Sequence, residues 1–449
     1  MAESPVGHSG ETRPVSRRAL VSWCLYDWAN SAFPTVIVTF LFAAYFTEAV
    51  AADREVGTAL WGHGQTASAL LIALLSPALG AIADQAGRRK PWIFAFSALC
   101  VAATAALWFV RPDPGFVWLA LILVVLGNLG FELGITFYNA LLPELVDRDR
   151  LGRLSGWAWG VGYAGGLACL VLSLLLFVEP EQPPFGLDKG AGEHVRVVAL
   201  FAAGWIVAFA WPLFLFVPDT ARRPISLTSA VRGGLTTLWQ TVLQIRAYKD
   251  AARFLLAHML YTNGLITLFA FGGIYAAGQF GMDFREVLYF GIYLNISAGL
   301  GAAAFAWIDD YVGAKPTILI SLLAMIALGV ALLLVHDKTL FYALGVLIGT
   351  FLGPAQAASR SLMARFAPAD MRGEFFGLFA LSGRVTVPLG PILVAWATLL
   401  ADSQRVGMAT ILPFLILGAS VLLTVNVNRG MAGAAKGSNP VNAGNAASP

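Results

Sequence analysis

Long apolar runs dominate the chain, and short polar gaps separate them. A helix needs roughly 20 apolar residues to cross a hydrocarbon layer about 30 Å thick. Twelve stretches qualify, at 23–49, 58–83, 92–110, 116–141, 155–178, 197–217, 253–279, 286–307, 317–335, 339–365, 374–400 and 407–427. The pattern predicts an all-α integral membrane protein with twelve transmembrane helices in two six-helix halves.

The gaps divide the chain further. Residues 1–22 form a polar leading segment rich in Ser, Pro, Gly and Arg, and 23–217 carry the first six helices. The apolar run that starts at 23 is too long and aromatic for a removable signal peptide, so it is expected to stay as the first span. Residues 218–252 are a linker opening with Pro218, Asp219, Arg222, Arg223 and Pro224. Within it, Thr236 to Arg246 has apolar residues at helical intervals and is expected along the membrane surface. Residues 253–428 carry the second six helices, and 429–449, rich in Gly, Ala, Asn and Ser, read as a disordered tail.

The two halves share a loop pattern. After the second span the chain reads Asp84-Gln85-Ala86-Gly87-Arg88-Arg89-Lys90-Pro91, and half a chain length later, Asp310-Tyr311-Val312-Gly313-Ala314-Lys315-Pro316. Each copy has an acid, a glycine three residues on, a base and a proline. Pro143 and Pro368, each just after an even-numbered span, keep nearly the same offset. Such repeats mark many secondary transporters, whose substrate site lies between the halves near mid-membrane. Asp84, Gly87, Arg88, Asp310 and Gly313 are therefore candidate gate and loop residues.

Basic residues are retained in the cytoplasm. Most of the 29 Lys and Arg, including Arg88, Arg89, Lys90, Arg148, Arg150 and Arg153, gather on one side of the spans. That places both termini in the cytoplasm, and the cytoplasmic (inner) membrane of a bacterium is the expected location.

Composition agrees with the pattern. Hydrophobic residues make up 58% of the 449 and charged ones 12%, against about 25% charged in a typical soluble domain, and mean hydropathy is +0.73. A soluble protein is excluded. The net charge of +3 is spread without the basic, aromatic-interleaved face of a nucleic-acid binder. Cys24, Cys100 and Cys169 lie inside apolar runs at unrelated spacings and read as packing residues rather than a disulfide or metal set.

Charge within a span costs roughly 2.5 to 3.5 kcal/mol, so ionisable residues there are the first functional candidates. Asp27, Glu132, Arg360 and Arg384 stand out. Asp27 is close enough to the interface to be solvated. Arg384, near the middle of the eleventh span, cannot easily snorkel to water and needs an acid or a wet cavity. It either binds an anionic group of the substrate, neutralises Asp27 or Glu132, or forms a structural ion pair. Glu132 lies in the small-residue run Gly127 to Gly134 and offers a proton-binding group whose pKa desolvation and a nearby Arg would move in opposite directions. The polar residues Asn30, Tyr138, Asn139, Asn263 and Gln356 add groups that could bond a substrate or neighbouring helices. Nucleotide-phosphate, zinc-protease and hydrolase signatures are missing from the sequence, so no enzyme activity, cofactor or metal is expected.

The paired loops resemble the signature between the second and third helices of the major facilitator superfamily. A narrower resemblance is carried by Tyr26 to Phe33, Phe137 to Glu144, Gln356 to Leu362, and Glu374 to Leu378 running on to Arg384. These are similar to the vacuolar-effluxer branch, which holds an autophagy-related amino-acid exporter and many bacterial permeases. The resemblance implies the major facilitator fold and secondary active transport by alternating access, with the first, fourth, seventh and tenth helices lining the cavity. It also implies amino acids as a substrate class. Two positions depart from it. Tyr261-Thr262-Asn263-Gly264 stands where relatives place an acid before the glycine, and Arg384 stands where a lysine is frequent.

The expected function is transport of a small solute, by export more than uptake, with protons as the plausible coupling ion and a monomer in the lipid bilayer. The competing reading is a non-transporting sensor or scaffold acting through the 218–252 linker.

Overall fold

The computed structural model describes residues 15–219, 226–243 and 248–437. Among them, twelve helical segments are long and apolar enough to cross a membrane: Arg17–Val50, Arg54–Ala86, Lys90–Phe109, Pro114–Leu145, Arg148–Val178, Glu193–Phe216, Lys249–Phe280, Arg285–Val312, Ala314–Leu334, Lys338–Phe366, Ala369–Ala401 and Gln404–Leu423. They correspond one for one to the expected spans and extend most of them into the polar flanks. Asp53, Asp283 and Asp337 start the second, eighth and tenth spans by accepting backbone N–H bonds, since a side-chain oxygen satisfies donors that the first turn leaves free.

The two copies of the loop pattern make equivalent contacts. Gly87 and Gly313 both take positive φ, at 86° and 98°, a region that glycine enters without Cβ strain. Lys90 donates to the Phe214 carbonyl at the end of the sixth span, 3.0 Å away. Lys315 donates to Leu423 and Val425 at the end of the twelfth, at 2.8 and 2.7 Å. In each half the basic residue ties the third helix to the last, where a cation meets the carbonyl-rich end of a helix.

The acids of the pattern reach across to the other half. Asp84 accepts from the Gly373 and Glu374 N–H groups at 2.9 and 2.8 Å, and Asp310 accepts from the Arg153 N–H at 3.1 Å and its Nε at 3.2 Å. The second span is thus tied to the start of the eleventh, and the eighth to the start of the fifth. This end of the bundle, called the basic end below, is closed along both seams.

The structure revises three expectations. Arg88 is exposed, and its neighbour Arg89 turns inward instead. After the turn at Gly87 one of the three consecutive bases faces the bundle, and Arg89 bonds Asp84 at 3.2 Å and also pairs with Glu144. Burial works against the charged form of Arg89, yet Glu144 and Asp84 raise its pKa above the ordinary value. The linker helix spans Leu227–Leu243, starting nearer the amino terminus than expected. It lies on the second span, where Thr237 Oγ1 accepts from Gln85 Nε2 at 3.3 Å. Lastly, the segment expected as a disordered tail begins as the helix Val427–Gly437, anchored where Arg429 bonds Asp250. Arg222, Arg223, Pro224 and Arg246 of the linker, and the tail from 438 on, lie outside the described residues.

Candidate functional site

Four in-span charges form two pairs, and each joins the amino-terminal half to the carboxy-terminal half. Arg360 bonds Asp27 Oδ2 at 3.0 Å, and Arg384 bonds Glu132 Oε1. Span 4 carries Glu132 and, two turns further, Asn139, which belongs to the Arg360 cluster. At 1.5 Å per residue the two levels are about 10 Å apart along the helix.

The Arg360 level is dry. Its side chain is 3% exposed and that of Asp27 10%. Besides Asp27 it donates to Asn139 Oδ1 at 3.2 Å, to Ser155 Oγ at 2.9 Å and to the Ser155 carbonyl at 2.7 Å. The Trp23, Trp159 and Tyr138 rings lie 5.0, 5.7 and 5.9 Å from the guanidinium carbon. A planar guanidinium suits both the fork of acceptors and the aromatic faces. Ser155 also donates to the Ala357 carbonyl at 2.7 Å, adding another bond between the halves.

The Arg384 level is wetter. The Arg384 side chain is 30% exposed although it sits mid-span. The helix breaks straight after it, at Val385–Pro388, since Pro388 has no N–H to continue the ladder and crowds the preceding turn. Arg384 therefore lies at the carboxyl end of a helical segment, where a cation is favoured. Asn263 Nδ2 bonds the Thr386 carbonyl at the break, which also accepts from the Leu389 N–H at 2.9 Å, and Asn263 Oδ1 accepts from Thr267 at 3.3 Å. A discontinuous helix beside a charged pair is the form that transporter sites take.

Other candidates fall into different roles. Tyr138 stacks on Trp23 with ring centroids 4.4 Å apart, and its hydroxyl donates to the Trp23 carbonyl at 2.9 Å, so it fastens span 4 to span 1. Gln356 Nε2 reaches the Tyr163 hydroxyl across the halves at 3.5 Å. Asn30 is buried, and its Oδ1 has no partner among the described residues. An unmet buried acceptor calls for a ligand, water or movement to satisfy it. Asp84, Gly87, Asp310 and Gly313 stand at the basic end, away from these pairs.

Sequence reasoning missed Ser155, Trp23, Trp159, Gln65 and Asn128. Asn128 Nδ2 bonds Gln65 Oε1 at 3.3 Å one turn from Glu132, and Gln65 Nε2 is buried without a partner among the described residues. Gln65 and Asn128 were visible as amides within apolar runs. The role of Ser155 depends on which helix faces it and leaves no mark in its own segment.

A family model described as "Vacuole effluxer Atg22 like" matches residues 64–435. The chain is 26% identical over 413 residues to the uncharacterized MFS-type transporter YxiO of Bacillus subtilis, covering 90% of this chain and 94% of that one. It is 23% identical to autophagy-related protein 22 of Coccidioides immitis, covering 94% and 88%. Among solved structures, the proton:xylose symporter XylE superposes with a TM-score of 0.69 at 14% identity, over 94% of this chain and 98% of that one. The fold is that of the major facilitator transporters.

Proposed function

The chain belongs to the vacuole effluxer Atg22-like family, and from that premise we propose that it is a secondary active transporter that moves a small zwitterionic solute, of the amino-acid class, by alternating access. The observation that carries this reading is the Arg384–Glu132 pair. It sets one cation and one anion side by side at a helix break, partly open to water and shared between halves. A solute carboxylate would take the place of Glu132 on Arg384, and its ammonium group would take the place of Arg384 on Glu132. Charges that lose their solvent in mid-membrane must be paired, so exchanging partners in this way costs less than separating them.

Glu132 also offers a route to proton coupling. With no solute bound and Arg384 drawn away as the halves part, protonation of Glu132 would remove the charge left unpaired. In the proposed orientation the basic end faces the cytoplasm of a bacterial cell and both termini lie there, with a monomer as the working unit. The bonds from Asp84, Asp310 and Ser155 hold the cytoplasmic side closed in this conformation. Relatives named as effluxers favour export.

The test is a thermal-shift screen of the purified protein against amino acids, small peptides, sugars and carboxylates, followed by flux in proteoliposomes with and without a pH gradient. An amino acid is expected to stabilise the protein and to move with the gradient. Arg384→Ala should abolish both effects, whereas Arg88→Ala, at an exposed position, should leave binding intact. Equal binding by wild type and the Arg384 variant would sink the site assignment. A folded protein that carries nothing would favour the sensor reading.

A further inference from the structure

A second cavity, of about 190 Å³, lies at the basic end between the halves. The end of the fourth span lines it with Pro143 and the start of the fifth with Arg148 and Leu151, while the tenth-to-eleventh connection adds Ala367 and the start of the eleventh Arg372; Ala434 of the terminal helix closes it. These two connections are the equivalents recognised from Pro143 and Pro368. The cavity therefore sits where the halves meet, and each half contributes one arginine.

Its chemistry is one-sided, because no acidic side chain lines it among the described residues. Arg372 gives Nη1 to Glu144 at 2.9 Å, while its buried Nε has no acceptor among the described residues. The Arg148 guanidinium makes no ion pair among the described residues, where only its carbonyl is engaged, by Arg365. The fifth and eleventh spans both open here, with Arg148–Arg150 and Ala369–Met371 as their first turns, and the acid of each turn, Asp149 and Asp370, lies outside the lining. Guanidinium groups bind the oxygens of phosphate or carboxylate in pairs.

We propose that this cavity binds a phosphate-class oxyanion that bridges Arg148 of one half to Arg372 of the other and so locks the basic end closed. At about 30 Å³ per water, the space holds several waters, enough for a phosphate and part of an attached ester. An anion held by both halves binds the closed form and not a form in which they have parted, so occupancy shifts the population toward closure. The site is distinct from the Arg384–Glu132 level, and an anion in it makes no contact with the transported solute.

Titration of the purified full chain with inorganic phosphate, at constant ionic strength in chloride buffer, reads the binding as a change in Tm. Wild type should show a saturable rise. Arg148→Gln, which breaks no ion pair, should weaken the apparent affinity by about tenfold or more, while Arg88→Gln at the same end should leave it unchanged. A second arm compares vesicles of phosphatidylcholine alone with vesicles containing phosphatidylglycerol. Stabilisation by the anionic lipid that Arg148→Gln removes identifies a headgroup as the source, and stabilisation by inorganic phosphate alone identifies a soluble anion. No saturable rise with either probe, or an equal rise in Arg148→Gln, overturns the proposal.

Discussion

Substituting Gly156 by alanine tests whether the closed seam at the basic end belongs to one state of a two-state protein. Gly156 of the fifth span faces the eighth, and a Cβ there would lie 2.6 Å from the Ala302 carbonyl oxygen and 2.6 Å from Ala306 Cβ. Comfortable carbon contacts are about 3.5 to 4.0 Å, so the helices must part by about 1 Å. The obstacles are a backbone carbonyl and a Cβ, neither of which can rotate away. Overpacking of this kind costs typically 1 to 3 kcal/mol. If the halves separate here in the other state, only the closed state pays that cost, and the equilibrium moves about 5- to 150-fold toward opening. Spin labels at Arg88→Cys and Tyr311→Cys, with Cys24, Cys100 and Cys169 replaced, would report the change as a distance distribution. Arg88 is exposed and Tyr311 is 91% exposed, and they sit on opposite halves. The expected result is a longer-distance population in Gly156→Ala. A fall in Tm with an unchanged distribution would refute the reasoning, because it would mean that both states keep the seam.

Two further outcomes follow from the pairs. Arg360→Gln or Asp27→Asn alone should destabilise the protein by about 3 to 5 kcal/mol, as expected when one member of a buried pair is left behind. The double variant should be less destabilised than the sum of the two, and thermal unfolding of all four proteins gives the coupling directly; additive losses would mean that the pair does not interact. Asn263→Ala removes one of the two bonds to the Thr386 carbonyl, the Leu389 N–H keeping the other, at a cost of about 0.5 to 1.5 kcal/mol. Faster amide hydrogen exchange around Val385–Val387 with little change elsewhere would check that the amide holds the break.

The spans were legible because the bilayer imposes a length on every apolar run, and that length survives without any knowledge of neighbours. Their ends were less so. Arg17 and Leu20 carry the first helix outward from the expected start at 23, since a helix continues through polar residues once its core is anchored. The paired loops could be read because Gly87, Gly313, Lys90 and Lys315 act through local turns and helix ends. The choice between Arg88 and Arg89 could not, because it depends on which base the turn aims at Glu144. Partners were the least legible feature. Arg384 called for an acid, and Asp27 and Glu132 were equally plausible until the helices were placed. Arg360, near a span end, gave no hint of the six residues that surround it. The break after Arg384 did leave a signal in Pro388, which sequence reasoning passed over.

The distribution of charge between halves gives the two pairs different work. Both acids, Asp27 and Glu132, belong to the amino-terminal half, and both bases, Arg360 and Arg384, to the other. Pairs within one half would survive any rocking, whereas pairs between halves are at stake in it. Two charges 4 Å apart attract by about 1 kcal/mol in water and about 4 kcal/mol at the effective dielectric of a protein. Arg360 and Asp27, sealed among Trp23, Tyr138 and Trp159, lie toward the second case, so opening at that level is resisted unless water enters together with the movement. Arg384 is 30% exposed and Glu132 11%, so this pair lies between the two cases, and water or a solute reaches it through the base. The dry pair thus favours the closed conformation, and the wet pair is where a ligand can act. A solute that replaces both partners at the upper level leaves no charge unpaired there, and the lower pair then sets how readily the halves part beneath it.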